Sequence, residues 1–293
     1  MMELLEARLF VGEVGTSLAP AILVTLFFLA AYGIYRIRYR HGDFPRFSEV
    51  EARPASNILS RHFRTFLLWC IHPLEHFLVK SRANPNWITL TSVFLAALSG
   101  VLLALGRFGL GGWVYVFSGI CDVFDGRVAR KTNRVTVSGG ILDSVSDRYA
   151  EFFVFAGLVM FYADSWVLLF VILALFGSMM VSYVRAKAES MKISCTVGRF
   201  QRAERLVYLG VGLALSPIAT ALFSPLHMPS NWLAVLTVIF IAAGSNSTAI
   251  YRFVFARHKA EAVQRQADIA NNADTTMNRS FADARRHLWK TSA

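Results

Sequence analysis

Seven runs of roughly 20 apolar residues recur along the 293-residue chain, each the length a helix needs to cross a hydrocarbon core. In lipid every backbone polar group must be satisfied within the segment or a closed barrel, so runs of this length read as helices. The expected fold is an all-α membrane protein. Composition agrees: 55% of residues are hydrophobic and 17% charged, against about a quarter charged in soluble domains. That balance excludes a disordered chain, a collagen-like chain and a disulfide-stapled secreted domain. Cys70, Cys121 and Cys195 are too scattered for a disulfide framework or a thiolate metal site. The chain carries 30 basic and 19 acidic side chains. The excess sits in short stretches beside the apolar runs, which is the pattern of membrane topology and anionic headgroups, so no nucleic-acid partner is expected.

The first span covers about residues 18–35, preceded by Glu3, Glu6 and Glu13 and followed by Arg36, Arg38, Arg40, Arg46 and Arg53. The basic flank places that end inside and the N-terminus outside, and the acidic leader without a cleavage site argues against a signal peptide. Residues 57–82 repeat Leu59, Phe63, Phe66, Leu67, Cys70, Leu74, Phe77 and Leu78 at helical spacing, with Arg61, Arg64, Glu75, His76 and Lys80 on other faces. Such a helix lies in the interface. Six further spans are expected near 87–106, 112–130, 138–162, 165–187, 205–223 and 231–253. Loops 130–134 and 185–205 are basic, whereas 107–111 and 224–230 are nearly uncharged, so alternate loops face opposite sides. The division expected is an anchor and basic connector over 1–56, a main domain over 57–256 with its interfacial helix at 57–82, and a polar cytoplasmic tail over 257–293. The tail reads as a frayed helix followed by disorder.

An ionisable residue in a span costs at least about 2.5–3.5 kcal/mol and is a functional candidate by default. Asp122 and Asp125 lie near the inner end of one span, Asp143 and Asp147 near the inner start of the next. Spacings of i,i+3 and i,i+4 place each pair on one helix face. The short loop between the spans lets the faces meet. Four unpaired carboxylates would repel one another, and Arg127, Arg130 and Arg148 sit toward the loop rather than among them. Oxygen-rich clusters of this kind suit Mg²⁺ or Mn²⁺, which recruit substrate phosphates as further ligands. Gly126, Ala129, Gly139 and Gly140 add little bulk, so a ligand can approach the backbone. The expectation is a metal–diphosphate site at the cytoplasmic membrane surface.

The segment Asp122-Val123-Phe124-Asp125-Gly126-Arg127-Val128-Ala129-Arg130, eight residues, then Gly139-Gly140-Ile141-Leu142-Asp143-Ser144-Val145-Ser146-Asp147 resembles the signature of the CDP-alcohol phosphatidyltransferase family, DxxDGxxAR followed by GxxxDxxxD. Every fixed position is filled. The resemblance covers about residues 57–256 and implies a six-helix transmembrane bundle preceded by an interfacial helix, with the first span as an addition. It implies that Asp122, Asp125, Asp143 and Asp147 hold Mg²⁺ or Mn²⁺, with Asp147 also the general base. Gly126, Ala129, Arg130, Gly139 and Asp122 would bind the CDP moiety. The partners implied are CDP-diacylglycerol, a polar alcohol acceptor and membrane lipid, in the inner (cytoplasmic) membrane, and a homodimer is an admissible assembly.

The basic stretch 185–205 bears on the acceptor. Half of its charge is explained by topology alone. The sharper reading is a phosphate pocket of Arg185, Lys187, Arg202 and Arg205, since arginine binds phosphate in a two-pronged way. These stretches are similar to those of the phosphatidylinositol phosphate and phosphatidylglycerophosphate synthase branches. Inositol phosphate is favoured slightly over glycerol 3-phosphate, although Lys187 stands where the inositol branch suggests arginine. A neutral acceptor such as inositol or serine is the alternative. A divalent-cation transporter also places carboxylates in a membrane, but its path needs them near the midplane or on both sides. Prenyltransferases bind Mg²⁺-diphosphate too, yet lack the DGxxAR core. His72-Pro73-Leu74-Glu75-His76 matches the HxxEH zinc pattern, which Pro73 and the interfacial setting disfavour. Glu151 continues the aspartate stripe, either as support for it or as a partner of Arg148. Pro85-Asn86 is a helix start that also falls near the nucleotide pocket in the family resembled.

Overall fold

The computed structural model describes residues 2–40, 44–45, 61–223 and 230–291. Among these residues the chain forms eight helices and no strand: α1 (Met2–Arg38), α2 (Arg61–Lys80), α3 (Pro85–Ala104), α4 (Phe108–Lys131), α5 (Val137–Phe161), α6 (Val167–Ser190), α7 (Arg202–Leu222) and α8 (Trp232–Thr291). Five of them contain stretches long and apolar enough to span a membrane: Gly12–Arg38, Pro85–Ala104, Val167–Ser190, Arg202–Leu222 and Trp232–Gln266. α4 and α5, at 24 and 25 residues, match the expected third and fourth spans in position. They fall short on composition because they carry the aspartates and their basic neighbours. They are nonetheless in the bundle, since Phe108, Val154 and Leu158 are fully buried in the central core. The molecule is a multi-pass membrane protein.

The helix starts that frame the site are locally encoded. At α3, the Asn84 side chain accepts a hydrogen bond from the Asn86 backbone N–H at 3.1 Å with Pro85 at the first helical position. At α5, Thr136 Oγ1 accepts from Gly139 N–H at 3.0 Å. Both fill one of the orphan donors of a helix N-terminus. Backbones then approach closely where side chains are small. Gly100 of α3 and Gly157 of α5 face each other so tightly that a Cβ at either would strike the other helix's backbone. Hydroxyls bridge the same region, Ser99 Oγ to Gly111 O at 2.8 Å and Ser118 Oγ to Ser92 O at 2.7 Å, joining α3 to α4.

α1 is longer than the expected first span and packs against α4 and α7. Trp113 Nε1 donates to Ser17 O at 3.1 Å, and Arg107 pairs with Glu13 at 3.3 Å. α2 falls short of the spanning criteria, as expected for an interfacial helix. Leu74 and Phe77 face outward, while Phe66 joins Tyr35 of α1 in an aromatic cluster. Residues 57–60 of the expected interfacial helix, most of the expected connector and 224–229 lie outside the described residues.

The sequence predicts that the tail from residue 257 frays into disorder; instead, α8 continues without interruption to Thr291. The stretch 257–291 is polar yet contains neither Pro nor Gly and is rich in Ala, so nothing in it breaks a helix.

Candidate active site

The loop between α4 and α5 brings the inner end of one helix beside the inner start of the next, and the carboxylates converge there. Carboxylate oxygens of Asp122, Asp143 and Asp147 all lie within 4.8 Å of one another. Asp125 is differently engaged. It is buried, accepts a 2.6 Å hydrogen bond from Thr89 Oγ1 of α3 and accepts from the Gly126 N–H. It is still close enough to Asp122 and Asp143 to feel their charge. Thr89 was missed in the sequence because a threonine in an apolar span carries no charge to mark it.

Two arginines touch the cluster. Arg202, the first residue of α7, grips Asp122 with both prongs, Nη1 to Oδ2 at 2.5 Å and Nη2 to Oδ1 at 3.1 Å. Its Nη2 also stands 2.7 Å from Asp147 Oδ1. That contact is an ion pair without hydrogen-bond alignment, and Asp147 Oδ1 has no hydrogen-bond partner. Arg148 Nη1 donates to Asp147 Oδ2 at 3.1 Å. Asp143 forms no ion pair with either. The carboxylates exceed the guanidiniums facing them, and a hard divalent cation is the partner such oxygens suit. The donor set therefore fits Mg²⁺ or Mn²⁺.

The edges of the cleft are small. A Cβ at Gly126 would come within 3.2 Å of Arg130 Nη1, and one at Gly139 within 3.0 Å of Thr136 Oγ1 and 3.8 Å of Asn86 Oδ1. Gly140 faces open space. Asn86 thus looks across from α3 at the start of α5, the place where the sequence left its role open.

The expected acceptor residues separate. Arg205 is 2% exposed: it donates from Nε to Glu151 Oε1 at 2.9 Å and from Nη1 to Phe200 O at 3.0 Å. Glu151 is therefore the partner of Arg205, not of Arg148. Arg185 is exposed and pairs with Glu189 one turn along α6 at 2.8 Å. Lys187 borders a cleft of about 330 Å³ between α6 and α8, with Tyr183, Met191, Phe253 and Arg257. The sequence missed Arg252, which is buried and donates to Val197 O at 2.7 Å and Val181 O at 2.8 Å. It lies in electrostatic range of Arg185 and Arg205, so three helices contribute to one basic region. Only its placement in a span could have flagged it.

Glu75 was placed on the polar face of the interfacial helix, but it is 1% exposed. Arg127 Nε donates to it at 3.0 Å and Lys131 Nζ lies 2.9 Å away, so α2 is clamped to the helix that carries Asp122. Burial pushes the Glu75 carboxyl up, but the hydrogen bonds and charges of Lys131 and Arg127 outweigh it and hold the group below the ordinary carboxylate range. The HxxEH pattern is thereby explained without zinc: Glu75 turns inward, and the His72 and His76 rings stack 6.4 Å apart.

Comparison with known proteins agrees with this geometry. The CDP-alcohol phosphatidyltransferase family model matches residues 82–243. The archaetidylinositol phosphate synthase of Methanothermobacter thermautotrophicus is 36% identical over 171 residues, covering 58% of this chain and 81% of that one. The phosphatidylinositol phosphate synthase of Cutibacterium acnes is 28% identical over 213 residues, covering 68% and 98%. Among solved structures, the Mycobacterium tuberculosis phosphatidylinositol phosphate synthase with CDP-DAG bound superposes with a TM-score of 0.55 at 24% identity, over 63% of this chain and 92% of that one. The same enzyme in complex with manganese and citrate gives 0.56. With the helical bundle and the complete DxxDGxxAR and GxxxDxxxD pattern in place, the chain belongs to the CDP-alcohol phosphatidyltransferase family.

Proposed function

We propose that this enzyme transfers the phosphatidyl group of CDP-diacylglycerol to a hydroxyl of a phosphorylated polyol, inositol phosphate ahead of glycerol 3-phosphate, at the cytoplasmic face of the inner membrane. The observation that carries the reading is the convergence of Asp122, Asp143 and Asp147 within 4.8 Å, inside a pattern that also supplies Gly126, Ala129, Arg130 and Gly139. The acceptor oxygen bonds to the lipid-side phosphorus, the bond from that phosphorus to the CMP oxygen breaks, and CMP leaves. Asp122, Asp143 and Asp147 would hold the divalent ion, with Asp125 beside them as a further carboxylate. A bound Mg²⁺ or Mn²⁺ would draw negative charge off the diphosphate oxygens as that bond breaks.

The side chains do the rest. Asp147 takes the proton of the acceptor hydroxyl, a general-base role for which a carboxylate within hydrogen-bond reach suffices. Gly126 and Gly139 leave room for the cytidine between α4 and the starts of α3 and α5, with Ala129 and Arg130 at its edge. The acceptor phosphate is drawn to the basic region where Arg185, Arg205 and Arg252 lie in electrostatic range, with Lys187 nearby on α6 and Arg202 at the head of α7. Arg205 shapes that region rather than reaching out of it, because Glu151 and Phe200 O occupy its guanidinium. The preference for inositol phosphate rests on this basic wall together with relatives named for that product. The test is CMP release by purified protein from CDP-diacylglycerol and Mg²⁺ with inositol phosphate, glycerol 3-phosphate, inositol and serine in parallel. Fastest turnover with inositol phosphate supports the reading; preference for inositol or serine overturns the phosphate pocket.

A further inference from the structure

We infer that Arg202 is the resident counter-cation of the aspartate cluster and competes with the divalent ion for Asp122 and Asp147, so that loading the site releases its guanidinium toward the substrate phosphates. This rests on the reading of the cluster as a metal site and adds how that site is held before the ion arrives. Both oxygens of Asp122 are engaged by Arg202, and the same guanidinium reaches Asp147. These are carboxylates of the set that would hold the ion, so a divalent cation and the guanidinium would face each other across the same oxygens as like charges and repel.

Three features show that the carboxylates, rather than the surrounding fold, keep Arg202 there. It is the first residue of α7, where a positive charge faces the positive end of the helix dipole. Its contact with Asp147 Oδ1 lacks hydrogen-bond alignment and leaves that buried oxygen without a hydrogen-bond partner, a demand a spherical ion meets more easily than a planar fork. Arg205, three residues on, is by contrast fixed by Glu151 and by the Phe200 carbonyl. Once an ion neutralises the aspartates, the attraction that holds Arg202 over them is removed. A side-chain rotation suffices, with no change of helix packing.

The experiment is a Mn²⁺ titration followed by electron paramagnetic resonance on the purified full chain in lipid nanodiscs, without nucleotide. Wild type, Arg202→Gln, Arg202→Lys and Arg148→Gln are compared, the last because Arg148 is a cation on the flank that pairs with Asp147 but with neither other aspartate of the cluster, its Nη1 also donating to Ser144 O. The two-pronged charged pair predicts roughly tenfold tighter Mn²⁺ binding in Arg202→Gln, an intermediate gain in Arg202→Lys, and a smaller one in Arg148→Gln. Thermal unfolding supplies a second readout. In EDTA, Arg202→Gln melts below wild type, and Mn²⁺ raises its melting temperature by more than it raises that of wild type. Unchanged or weaker Mn²⁺ binding in Arg202→Gln overturns the proposal. So does a pattern in which Arg202→Lys equals wild type and Arg148→Gln equals Arg202→Gln, since charge at a distance would then account for everything. Absence of Mn²⁺ binding in wild type and Arg202→Gln alike overturns the metal site itself.

Discussion

Arg202 and Arg205 lie one turn apart on α7, both face carboxylates, and they do opposite things. Arg205 and Glu151 close on each other, with 2% and 6% of their side chains exposed, and a backbone carbonyl takes a further guanidinium N–H. Arg202 faces a group of three carboxylates whose charge it does not cancel, beside an oxygen that finds no aligned donor. The first arrangement matches one guanidinium to one carboxylate, although Nη2, 2.8 Å from Glu151 Oε1, is out of hydrogen-bond alignment there too, and it stabilises the bundle. The second has carboxylates in excess and can still bind a cation. In the Glu75–Arg127–Lys131 triad two cations more than match one buried carboxylate, so no negative charge is left over there either. In this membrane protein, buried carboxylates matched by cations hold helices together, while carboxylates in excess of their cations mark the chemistry.

The comparison can be broken at either end. The largest effect is expected at Asp147: Asp147→Asn should lower kcat by about 10²–10⁴-fold, the usual worth of a general base, and leave CDP-diacylglycerol affinity nearly unchanged. CMP release and nucleotide-lipid binding measured together check it, and full activity removes the residue from the mechanism. At the balanced end, Glu151→Ala strands Arg205 and should cost about 3–5 kcal/mol of stability, read as a lowered midpoint of thermal unfolding with the Mn²⁺ affinity of the surviving folded fraction unchanged. A loss of Mn²⁺ affinity without a loss of stability would erase the distinction between the two arginines.

A smaller effect is expected in the basic region. Arg185→Ala removes a charged hydrogen-bond donor and should raise the KM for the phosphorylated acceptor roughly tenfold, with kcat and the KM for CDP-diacylglycerol held. A change confined to kcat would place Arg185 elsewhere in the reaction. The smallest effect is a pH dependence at the Glu75 clamp. Its carboxyl titrates lower in the folded protein than its ordinary 4.5, so the clamp's stabilisation is fully present above that value and is lost as pH falls through the lower, folded-state value. Hydrogen exchange of α2 should therefore be flat from neutral pH down to about the ordinary glutamate range and accelerate below it beyond the intrinsic rate. Glu75→Gln should abolish that step.

Much of this was legible in the residues. The spans could be placed because a bilayer sets their length, and the aspartate pairs because i,i+3 and i,i+4 spacing dictates a shared face. The partition of the basic residues was not legible. Arg202 and Arg205 both read as members of one positive loop, and only the position of α7 against α4 and α5 assigns Asp122 to one and Glu151 to the other. Asp125 turned to Thr89 for a similar reason, since the partner lies 36 residues away on α3. Glu75 was misplaced because helical periodicity within α2 says nothing of Arg127 and Lys131 on the helix it meets. Pattern within an element was readable; pairing between elements required the fold.

The central claim is that the convergence of carboxylates from α4 and α5 is a divalent-cation site. Asp143 tests it most directly, because it belongs to the cluster and forms no ion pair with either neighbouring arginine. Equilibrium Mn²⁺ binding to wild type and Asp143→Asn should show saturable binding in the former and a loss of at least about tenfold in affinity in the latter, with unfolding temperatures in EDTA alike. Equal Mn²⁺ affinity in the two proteins would contradict the account.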